Sequence, residues 1–513
     1  MPIKKSLRKV AQTAVAVKPK RTQEWFLVGL LVLVLVIKLY FVMQTPLPAY
    51  DSYYGIRQID HIHKSGFPFI IDDLSYQGRI TYNGIFFYTL LAGFTFFIPT
   101  ILLFKYASII FGLIALFLIY KIIERLVKNR WIALLTTLLA ALSPSVFTTH
   151  LNTLLPSSLF AVLYLTLILF FFKSNKKKYI PWFIAALVFS MLISSLTLVF
   201  IAGFALYFLL LKLESLAVRK REFELLLFSS VLVIWYHLLL YKPLFLQYGA
   251  GVIWRTMPRE LVVSMFQGLT VPLAIALIGI VPLLLGIYTM YYTLFVQRNR
   301  LHLFLTSMAL VFSMITWFGF IPLTEGLFYT TLTFILLSGP ALKRLNAFST
   351  KTIIPHSKII FLLLFILIVS INFLPVFIYQ ETIIHQTPIS DEVAVFTSLA
   401  DELPKDATVL GHIDEGHLIT FLTQRKTFYD TNFILAPHAQ QRYDAAKIIF
   451  LSQSKTTILT TLQQYGITHI LVTPLLLEDY PKLNTSFAND DCFLPIYQWK
   501  NVTAYEIQCR LKN

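Results

Sequence analysis

Charged side chains are scarce in this sequence. Asp, Glu, Lys and Arg make up 13% of the 513 residues, whereas soluble domains contain about 25%. Hydrophobic residues make up 57%, against about 45–50% in soluble domains. These values exclude an ordinary soluble domain and predict an integral membrane protein.

Acidic residues are scarcer than basic ones, with 26 Asp and Glu against 43 Lys and Arg, a net charge of +17. Such a balance could indicate nucleic-acid binding. The basic residues fall, however, in short clusters between apolar runs, where they orient membrane helices. We therefore expect a lipid bilayer, and no nucleic acid, as a partner.

Cysteine is almost absent. Cys492 and Cys509 both lie near the C-terminus, and they could form a disulfide if that segment faces an oxidising compartment. An internal repeat is also lacking, which argues against a transporter built on inverted repeats. No small-residue cleavage site follows the first apolar run, so residues 1–23 are interpreted as a basic cytoplasmic tail.

Long apolar runs are abundant, and eleven of them are candidate membrane spans. Basic loops between them fall on one side, and the positive-inside rule places that side in the cytoplasm. A further run, Gly84–Phe104, would reverse this order if it crossed, so we interpret it as re-entrant or tilted. The candidate spans in the predicted transmembrane domain, residues 24–379, are 25–43, 106–120, 131–147, 158–172, 180–194, 197–211, 224–241, 270–296, 301–319, 327–341 and 359–379.

The composition changes after residue 379, and residues 380–513 are predicted to form a small extracytoplasmic α/β domain. Apolar runs at 407–412 and 468–472 predict buried strands. Residues 391–402 and 445–465 are predicted helices, and 493–498 with 503–510 a closing hairpin. The predicted architecture is thus a polytopic α-helical membrane protein of the cell membrane with an outer α/β domain.

The first outer loop, residues 45–83, carries charge and aromatic residues directly after a membrane span. Tyr53, Ile56 and Ile59 recur at helical spacing, which predicts an amphipathic helix at the membrane interface. Asp51 stands at the mouth of the first span beside Tyr54, where a carboxylate is costly unless it is used or paired. It could activate an acceptor or hold a divalent cation, or it could form a salt bridge with Arg57.

Two segments resemble a known family. DSYYGIRQIDHIHKSG with IIDDLSYQGRITYNGIFF, and GHIDEGHLITFLTQRKTFYDTNF, are similar in order and spacing to the first outer loop and the tryptophan-tryptophan-aspartate segment of GT-C membrane glycosyltransferases. The oligosaccharyltransferase catalytic subunit is the member they resemble most. His412 and Ile413 stand where that subunit has both tryptophans, and the second outer loop, THLNTLLPSS, has no Asp-x-Glu pair.

The resemblance implies a role for each matching residue. Asp51 would be catalytic and would bind Mn²⁺ or Mg²⁺, although the missing Asp-x-Glu pair argues against a complete metal site. Glu325 would be a second catalytic carboxylate, or an ordinary acid at a helix N-terminus. Further candidates are Arg79, Arg255 and Arg259 for the donor phosphate, where the last two could instead contact lipid headgroups, and Asp414 and Tyr54 for the acceptor.

Together these features predict a membrane glycosyltransferase that moves a sugar or oligosaccharide from a polyprenyl-phosphate or polyprenyl-diphosphate carrier to a protein or glycan acceptor. The oligosaccharyltransferase-like reaction is the first interpretation. A metal-independent monosaccharide transferase of the protein O-mannosyltransferase type is the second. A non-catalytic protein that binds or transports polyprenyl-linked sugars is the third.

Overall fold

The computed structural model describes residues 20–82, 84–266, 270–349, 351, 356–377, 385–483 and 491–511. Most of the predicted tail and the predicted domain boundary at 379 and 380 lie outside these residues. Helix α1 begins at Lys20, so the last residues of the predicted tail are already helical.

Residues 20–82 and 84–213 form helices, their connections and one short hairpin. The apolar runs are long enough to satisfy their backbone hydrogen bonds internally as helices. The elements are α1 (Lys20–Met43), α2 (Ser52–Ser65), β1 (Ile71–Asp72), β2 (Arg79–Ile80), α3 (Ile85–Phe94), α4 (Thr100–Val127), α5 (Arg130–Ala141), α6 (Pro144–Thr148), α7 (Pro156–Lys173), α8 (Ile180–Ile193) and α9 (Thr197–Leu213).

The helical part continues to residue 373 and is followed by a mixed segment. The remaining helices of the first part are α10 (Lys220–Tyr248), α11 (Gly251–Trp254), α12 (Arg259–Met265), α13 (Val271–Ile278), α14 (Ile280–Phe295), α15 (Arg300–Trp317), α16 (Leu323–Ser349) and α17 (Ser357–Phe373). The mixed segment contains α18 (Ser390–Glu402), β3 (Thr408–Leu410), α19 (Gly416–Thr423), β4 (Lys426–Thr427), α20 (Ala439–Leu451), α21 (Lys455–Gln464), β5 (His469–Val472), α22 (Pro474–Asp479), β6 (Phe493–Trp499) and β7 (Val502–Ile507).

Each of the eleven apolar runs overlaps a helix of the structure. Within the described residues, six helices are long and apolar enough to cross a bilayer, or seven if α13 and α14 form one broken span. These two helices meet at Gly279 with a bend of 105°. The chain is therefore a multi-pass membrane protein, while the number of eleven crossings stays a prediction.

The run Gly84–Phe104 differs from its interpretation as one re-entrant segment. Helix α3 ends at Phe94, and the residues from Thr100 onward form the first turn of α4. Pro99 ends the connection, because proline disfavours a helical residue before it and is tolerated at the start of a helix. Helix α4 has 28 residues, a length of about 42 Å, so it extends beyond the predicted span at 106–120.

The mixed segment forms a five-stranded sheet in the order β4-β3-β5-β7-β6. Strands β3, β4 and β5 are parallel, and the hairpin β6–β7 adds to β5 in antiparallel orientation. The predicted strands at 407–412 and 468–472 and the hairpin are confirmed at these positions. The predicted helix at 445–465 divides into α20 and α21, and Cys492 and Cys509 form a disulfide.

The first outer loop joins this sheet. The backbone N–H of Thr427 in β4 donates to Leu74 at 2.8 Å, and Ser75 bridges to Thr427 in parallel orientation. The loop therefore covers the edge of the sheet, which would otherwise present unpaired backbone groups. As a result, α2 packs between α3, α4 and α19, and Ser52–Ile59 are buried.

Candidate active site

Asp51 is an accessible carboxylate at the N-terminus of α2. Its side chain caps no backbone N–H of the helix. Instead, its Oδ1 accepts a hydrogen bond of 3.0 Å from the hydroxyl of Thr431, which follows β4 in the chain. The first outer loop and the sheet segment therefore meet at Asp51, and the carboxylate is still open to solvent on one side.

The surroundings of Asp51 favour its protonated form. Loss of hydration raises the pKa of Asp51, and the negative charge of Asp414 raises it further. The charge of His417 and the hydrogen bond from Thr431 act in the opposite direction without reversing the shift. A carboxylate with a raised pKa is a better proton acceptor than an ordinary aspartate, so the site suits general-base chemistry.

A second aspartate, Asp430, lies in a buried cluster of ion pairs beside the same histidine. Both oxygens of Asp430 bind Arg79, at 2.8 and 3.0 Å, and Ser75 donates to the same carboxylate. Burial alone would raise the pKa of Asp430, but the charges of Arg79 and His417 outweigh it and lower the pKa to about 2. This carboxylate is a structural anion.

Arg57 and Arg79 are joined through Asp72. Arg57 binds Asp72 at 2.6 and 3.3 Å, and Arg79 approaches the other side of Asp72 at 3.5 Å. The predicted alternative of a salt bridge between Asp51 and Arg57 is therefore wrong. The reason is that β1 and β2 pair Asp72 with Arg79, which brings both arginines to the same carboxylate.

Arg79 does not offer its planar fork to a phosphate. Both terminal nitrogens bind Asp430, and one also donates to the Asn432 carbonyl at 2.5 Å. The side chain is 3% exposed. This corrects the prediction of bidentate phosphate binding, because Asp430 occupies the geometry that a phosphate would need. Only Nε is left without a hydrogen-bond partner in the described part of the chain.

Two cavities lie beside these residues. A cavity of about 180 Å³ is lined by Arg79, Tyr82, Tyr241, Thr431 and Asn432, with several apolar residues. A larger groove of about 590 Å³ lies between the first outer loop, α3, the end of α8 and α10. Tyr82 and Tyr241 line both spaces, so the groove between the helices adjoins the small cavity, and Thr431 connects that cavity to Asp51.

No protein-family model matches this chain, and no curated protein matches its sequence. Its structure is similar to that of the archaeal oligosaccharyltransferase AglB from Archaeoglobus fulgidus, solved with an inhibitory peptide and a dolichol-phosphate. The TM-score is 0.65 at 12% identity, over 88% of this chain and 70% of that one. It is also similar to ArnT from Cupriavidus metallidurans, solved bound to undecaprenyl phosphate, with a TM-score of 0.55 at 13% identity over 95% and 98% of the two chains.

The chain has a GT-C fold. The predicted resemblance is thus confirmed at the level of the fold. At 12% and 13% identity the similarity shows the fold alone, so the roles of individual side chains are argued from the geometry of this chain.

The metal site that the GT-C resemblance implies lacks ligands in this geometry. Among residues 20–82, 84–266 and the later described ranges, no three His, Cys, Asp or Glu side chains come together as a cation site. In the second outer loop, Asn152 donates to Thr45 Oγ1 and to the Leu47 carbonyl, both at 2.9 Å. This loop therefore supports the segment before Asp51 through hydrogen bonds, and Asp51 alone does not make a site for Mn²⁺ or Mg²⁺.

Glu325 lies in the first turn of α16, beside Ser157. No contact between Glu325 and Asp51 occurs in the described structure. An acid in the first turn interacts favourably with the helix dipole, so the geometry agrees with the ordinary alternative. A catalytic role for Glu325 stays a prediction.

The predicted acceptor residues differ in their access to solvent. The Asp414 side chain is 50% exposed, and its charge acts on Asp51. Both carboxylates therefore belong to one region, which we call the recess around Asp51. Tyr54 is 2% exposed, and its hydroxyl is hydrogen-bonded to Thr81 at 2.7 Å and to Gln58 at 3.0 Å. This corrects the acceptor-binding role of Tyr54, which is a buried contact of the His417 ring.

Arg255 and Arg259 are both exposed. They do not share one interfacial helix, because α11 ends at Trp254 and α12 begins at Arg259. The other end of α12, at Met265, lines the small cavity. Arg259 is anchored by its backbone N–H, which donates to Gln440 at 2.8 Å, and this leaves its guanidinium available for an anion.

Three side chains of the recess were not among the predicted site residues. Thr431 binds Asp51, Asp430 binds Arg79, and His417 lies 3.5 Å from Asp430. The sequence indicates two of them, because Asp430 and Thr431 belong to the Asp-x-Asn-Phe segment Asp430–Phe433, which ends the second stretch that carries the resemblance. The match to the motif predicts only Asp414 from this stretch. The loop after β4 comes close to Asp51 only in the folded chain.

Proposed function

We propose that this chain is a membrane glycosyltransferase that transfers a sugar or oligosaccharide from a polyprenyl-linked phosphate donor to an acceptor at the outer membrane face. The observation that carries the proposal is the position of Asp51. Its accessible carboxylate, with a raised pKa, binds Thr431 at the end of a cavity that adjoins a groove between membrane helices.

The groove has the chemistry of a site for a lipid carrier. Its lining is mostly apolar, with Phe67, Ile85, Phe86 and Leu240 among its residues, and it shares Tyr82 and Tyr241 with the small cavity. An isoprenoid tail would remain in an apolar environment there. The sugar-bearing end would then reach the small cavity, where polar side chains replace apolar ones.

The transfer follows from the electron pairs at the anomeric carbon. A hydroxyl or amide group of the acceptor attacks that carbon and forms the new glycosidic bond. The bond between the anomeric carbon and the carrier oxygen breaks, and the phosphate or diphosphate leaves with the electron pair. Asp51 accepts the proton of the acceptor, which its raised pKa favours near neutral pH.

Cationic groups near the leaving phosphate would stabilise its developing charge. Arg255 and Arg259 have guanidinium groups in solvent, and α12 leads from Arg259 to the cavity wall at Met265. Arg79 also lines this cavity, but its Nε is buried. We assign the first contact with the donor phosphate to the two exposed arginines, because the fork of Arg79 is already bound to Asp430.

A metal-independent monosaccharide transferase is the second candidate. It is favoured by the second outer loop, where Asn152 holds the chain before Asp51 and no acid stands beside it. The oligosaccharyltransferase-like reaction remains the first candidate, since it accounts for the Asp-x-Asn-Phe segment next to Asp51. Dependence on added Mn²⁺ separates these two reactions.

The test is transfer by the purified protein from a radiolabelled pool of polyprenyl-linked sugars to a mixture of peptide and glycan acceptors. We expect Asp51→Asn to reduce transfer about 10²- to 10⁴-fold, the range for loss of a general base. Asp73→Asn is the matched control, because Asp73 is an exposed aspartate of the same loop. Each protein is measured with Mn²⁺ and with a chelator.

Each outcome has a defined meaning. Loss in Asp51→Asn alone, indifferent to the chelator, supports the metal-independent transferase. Loss in Asp51→Asn together with loss on chelation supports the oligosaccharyltransferase-like reaction. Donor that is bound but never released as carrier phosphate, in wild type and variants alike, contradicts catalysis and supports a binding or transport protein.

A further inference from the structure

A small polar cavity lies within the helix bundle, apart from the recess around Asp51. Its volume is about 30 Å³, and it is enclosed by α1, α4, the loop before α7, and α16. Most of its wall is apolar. Its polar lining includes Lys38, Ser108 and His150.

Lys38 points into the protein instead of toward the membrane surface. It is 7% exposed, and its ammonium donates to the Phe147 carbonyl at 3.0 Å. Its ammonium lies beside Gly112 of α4, where a Cβ would be in ordinary contact with Nζ at 3.8 Å. A lysine near a helix end usually extends toward water, so this orientation requires a compensating interaction.

The described residues provide no carboxylate for this ammonium. The ion pairs of the described ranges include Arg57–Asp72, Arg79–Asp430 and others, but none contains Lys38. Its hydrogen bond to Phe147 uses one of three N–H donors. An ammonium that is buried without a counter-charge is costly.

Two further groups at the cavity have no hydrogen-bond partner within the described structure. They are the hydroxyl of Ser108, in a residue that is 5% exposed, and Nε2 of His150. Burial and the nearby Lys38 lower the pKa of His150 to about 3, so its ring is neutral and can donate through Nε2–H. Buried polar atoms almost always have partners, and here three potential donors surround one space.

We propose that this cavity binds one small monovalent anion of the size of chloride, held by the Lys38 ammonium, the Ser108 hydroxyl and the His150 imidazole. An anion supplies the missing counter-charge and accepts from all three donors. A space of about 30 Å³ holds roughly one water-sized species, which excludes sulfate and phosphate. The inference is independent of the proposed transfer reaction.

The anion would connect the membrane helices to the support of Asp51. Lys38 belongs to α1, Ser108 to α4, and His150 to the loop whose Asn152 carbonyl accepts from the Ala49 N–H at 3.1 Å. Ala49 is two residues before Asp51. Occupancy of the cavity therefore stabilises the second outer loop and, through it, the start of α2.

The experiment measures thermal unfolding of the full-length purified protein in detergent, with chloride, bromide, gluconate or sulfate at equal ionic strength. We expect the unfolding midpoint to be higher in chloride or bromide than in gluconate, and to rise with their concentration, as for any ligand of the folded state. Sulfate stabilises folded proteins generally because it is excluded from their surface, so its effect should be the same in wild type and in Lys38→Met. Lys38→Met should abolish the dependence on chloride and bromide. Lys220→Met is the matched control, because Lys220 is 92% exposed.

A second measurement guards against failure of Lys38→Met to fold. Crystals of the wild type grown in bromide should show an anomalous peak between Nζ of Lys38 and the His150 ring, and Ser108→Ala should weaken both the peak and the bromide dependence. The proposal is overturned if chloride and bromide raise the wild-type midpoint no more than gluconate does and no bromide peak appears. The cavity would then hold water.

Discussion

Asp51 and Asp430 are two aspartates that act on the same histidine, yet their environments give them opposite properties. Asp430 is fully buried, binds Arg79 through both oxygens and has a pKa lowered to about 2. Asp51 is open to solvent, accepts one hydrogen bond from a neutral hydroxyl and has a raised pKa. Loss of hydration raises the pKa at both positions, and only at Asp430 does an arginine reverse the shift. The comparison teaches that the partner decides which of the two carboxylates is held as an anion.

The largest difference between these aspartates should appear in stability. Asp430→Ala removes the anion that compensates Arg79 in a buried site, and breaking such a pair costs about 3–5 kcal/mol. Asp51→Ala removes one exposed hydrogen bond, and a change at such a position costs about 0.5 kcal/mol or less. Chemical unfolding of both variants in the same detergent measures the two losses.

Equal losses in these two variants would break the comparison, because Asp51 would then also be a structural anion. Asp430→Asn is the control for shape. It keeps the size of the side chain but removes the charge, so it should destabilise the protein by most of the loss seen in Asp430→Ala if electrostatics dominates. Recovery of wild-type stability in Asp430→Asn would assign the effect to packing instead.

The second largest expected effect is on donor binding in the groove that adjoins the cavity beside Asp51. Leu240 lines the groove, so Leu240→Trp should fill part of it and raise the KM for the polyprenyl donor about tenfold, equivalent to about 1.4 kcal/mol, with little change in kcat. Leu238→Trp is the control on the same helix, because Leu238 is 66% exposed. Steady-state kinetics with a single donor checks this expectation.

If both tryptophan variants behave alike, the groove is not the donor path. The free energy of unfolding should be the same in both variants, since neither Leu240 nor Leu238 belongs to the buried ion-pair cluster of Asp430. A change in KM for Leu240→Trp alone would be independent evidence that the donor reaches the recess around Asp51 through the apolar groove.

Local patterns in the sequence predicted part of this arrangement. The helices and the strands at Thr408–Leu410 and His469–Val472 follow from apolar runs, whose burial drives their formation. Asp51 could be selected because a carboxylate at a membrane surface is costly without a role. These inferences use neighbours in the chain, which a single sequence displays.

The pairing of charges could not be predicted in the same way. Arg79 and Asp430 are 351 residues apart, and the first outer loop meets the sheet edge only after folding. Closeness in the chain therefore suggests a pair of Arg57 with Asp51, whereas Arg57 binds Asp72 in the folded structure. The inward orientation of Lys38 could not be predicted either, since its hydrogen-bond acceptor, the Phe147 carbonyl, lies 109 residues away in the chain.

The smallest expected effect sharpens the comparison by changing the field at Asp51 while leaving Asp51 in place. Asp414 raises the pKa of Asp51, as does the charge of Asp430, whereas His417 lowers it. Asp414→Asn removes the stronger of the two repulsions, so the pKa of Asp51 falls and the carboxylate stays deprotonated to lower pH. The acidic limb of the rate profile should therefore move to lower pH by a fraction of a unit, because the Asp414 side chain is half exposed and its field is screened.

The measurement is kcat against pH for wild type, Asp414→Asn and the control Asp479→Asn. Asp479 lies beside His412 and acts on Asp414, but it is not among the charges that act on Asp51, so its removal should leave the limb in place. Loss of transfer at every pH, together with loss of the acidic limb, in Asp414→Asn would mean that Asp414, and not Asp51, accepts the proton. An unshifted limb with transfer reduced at every pH would make Asp414 a contact of the acceptor whose field is fully screened at Asp51.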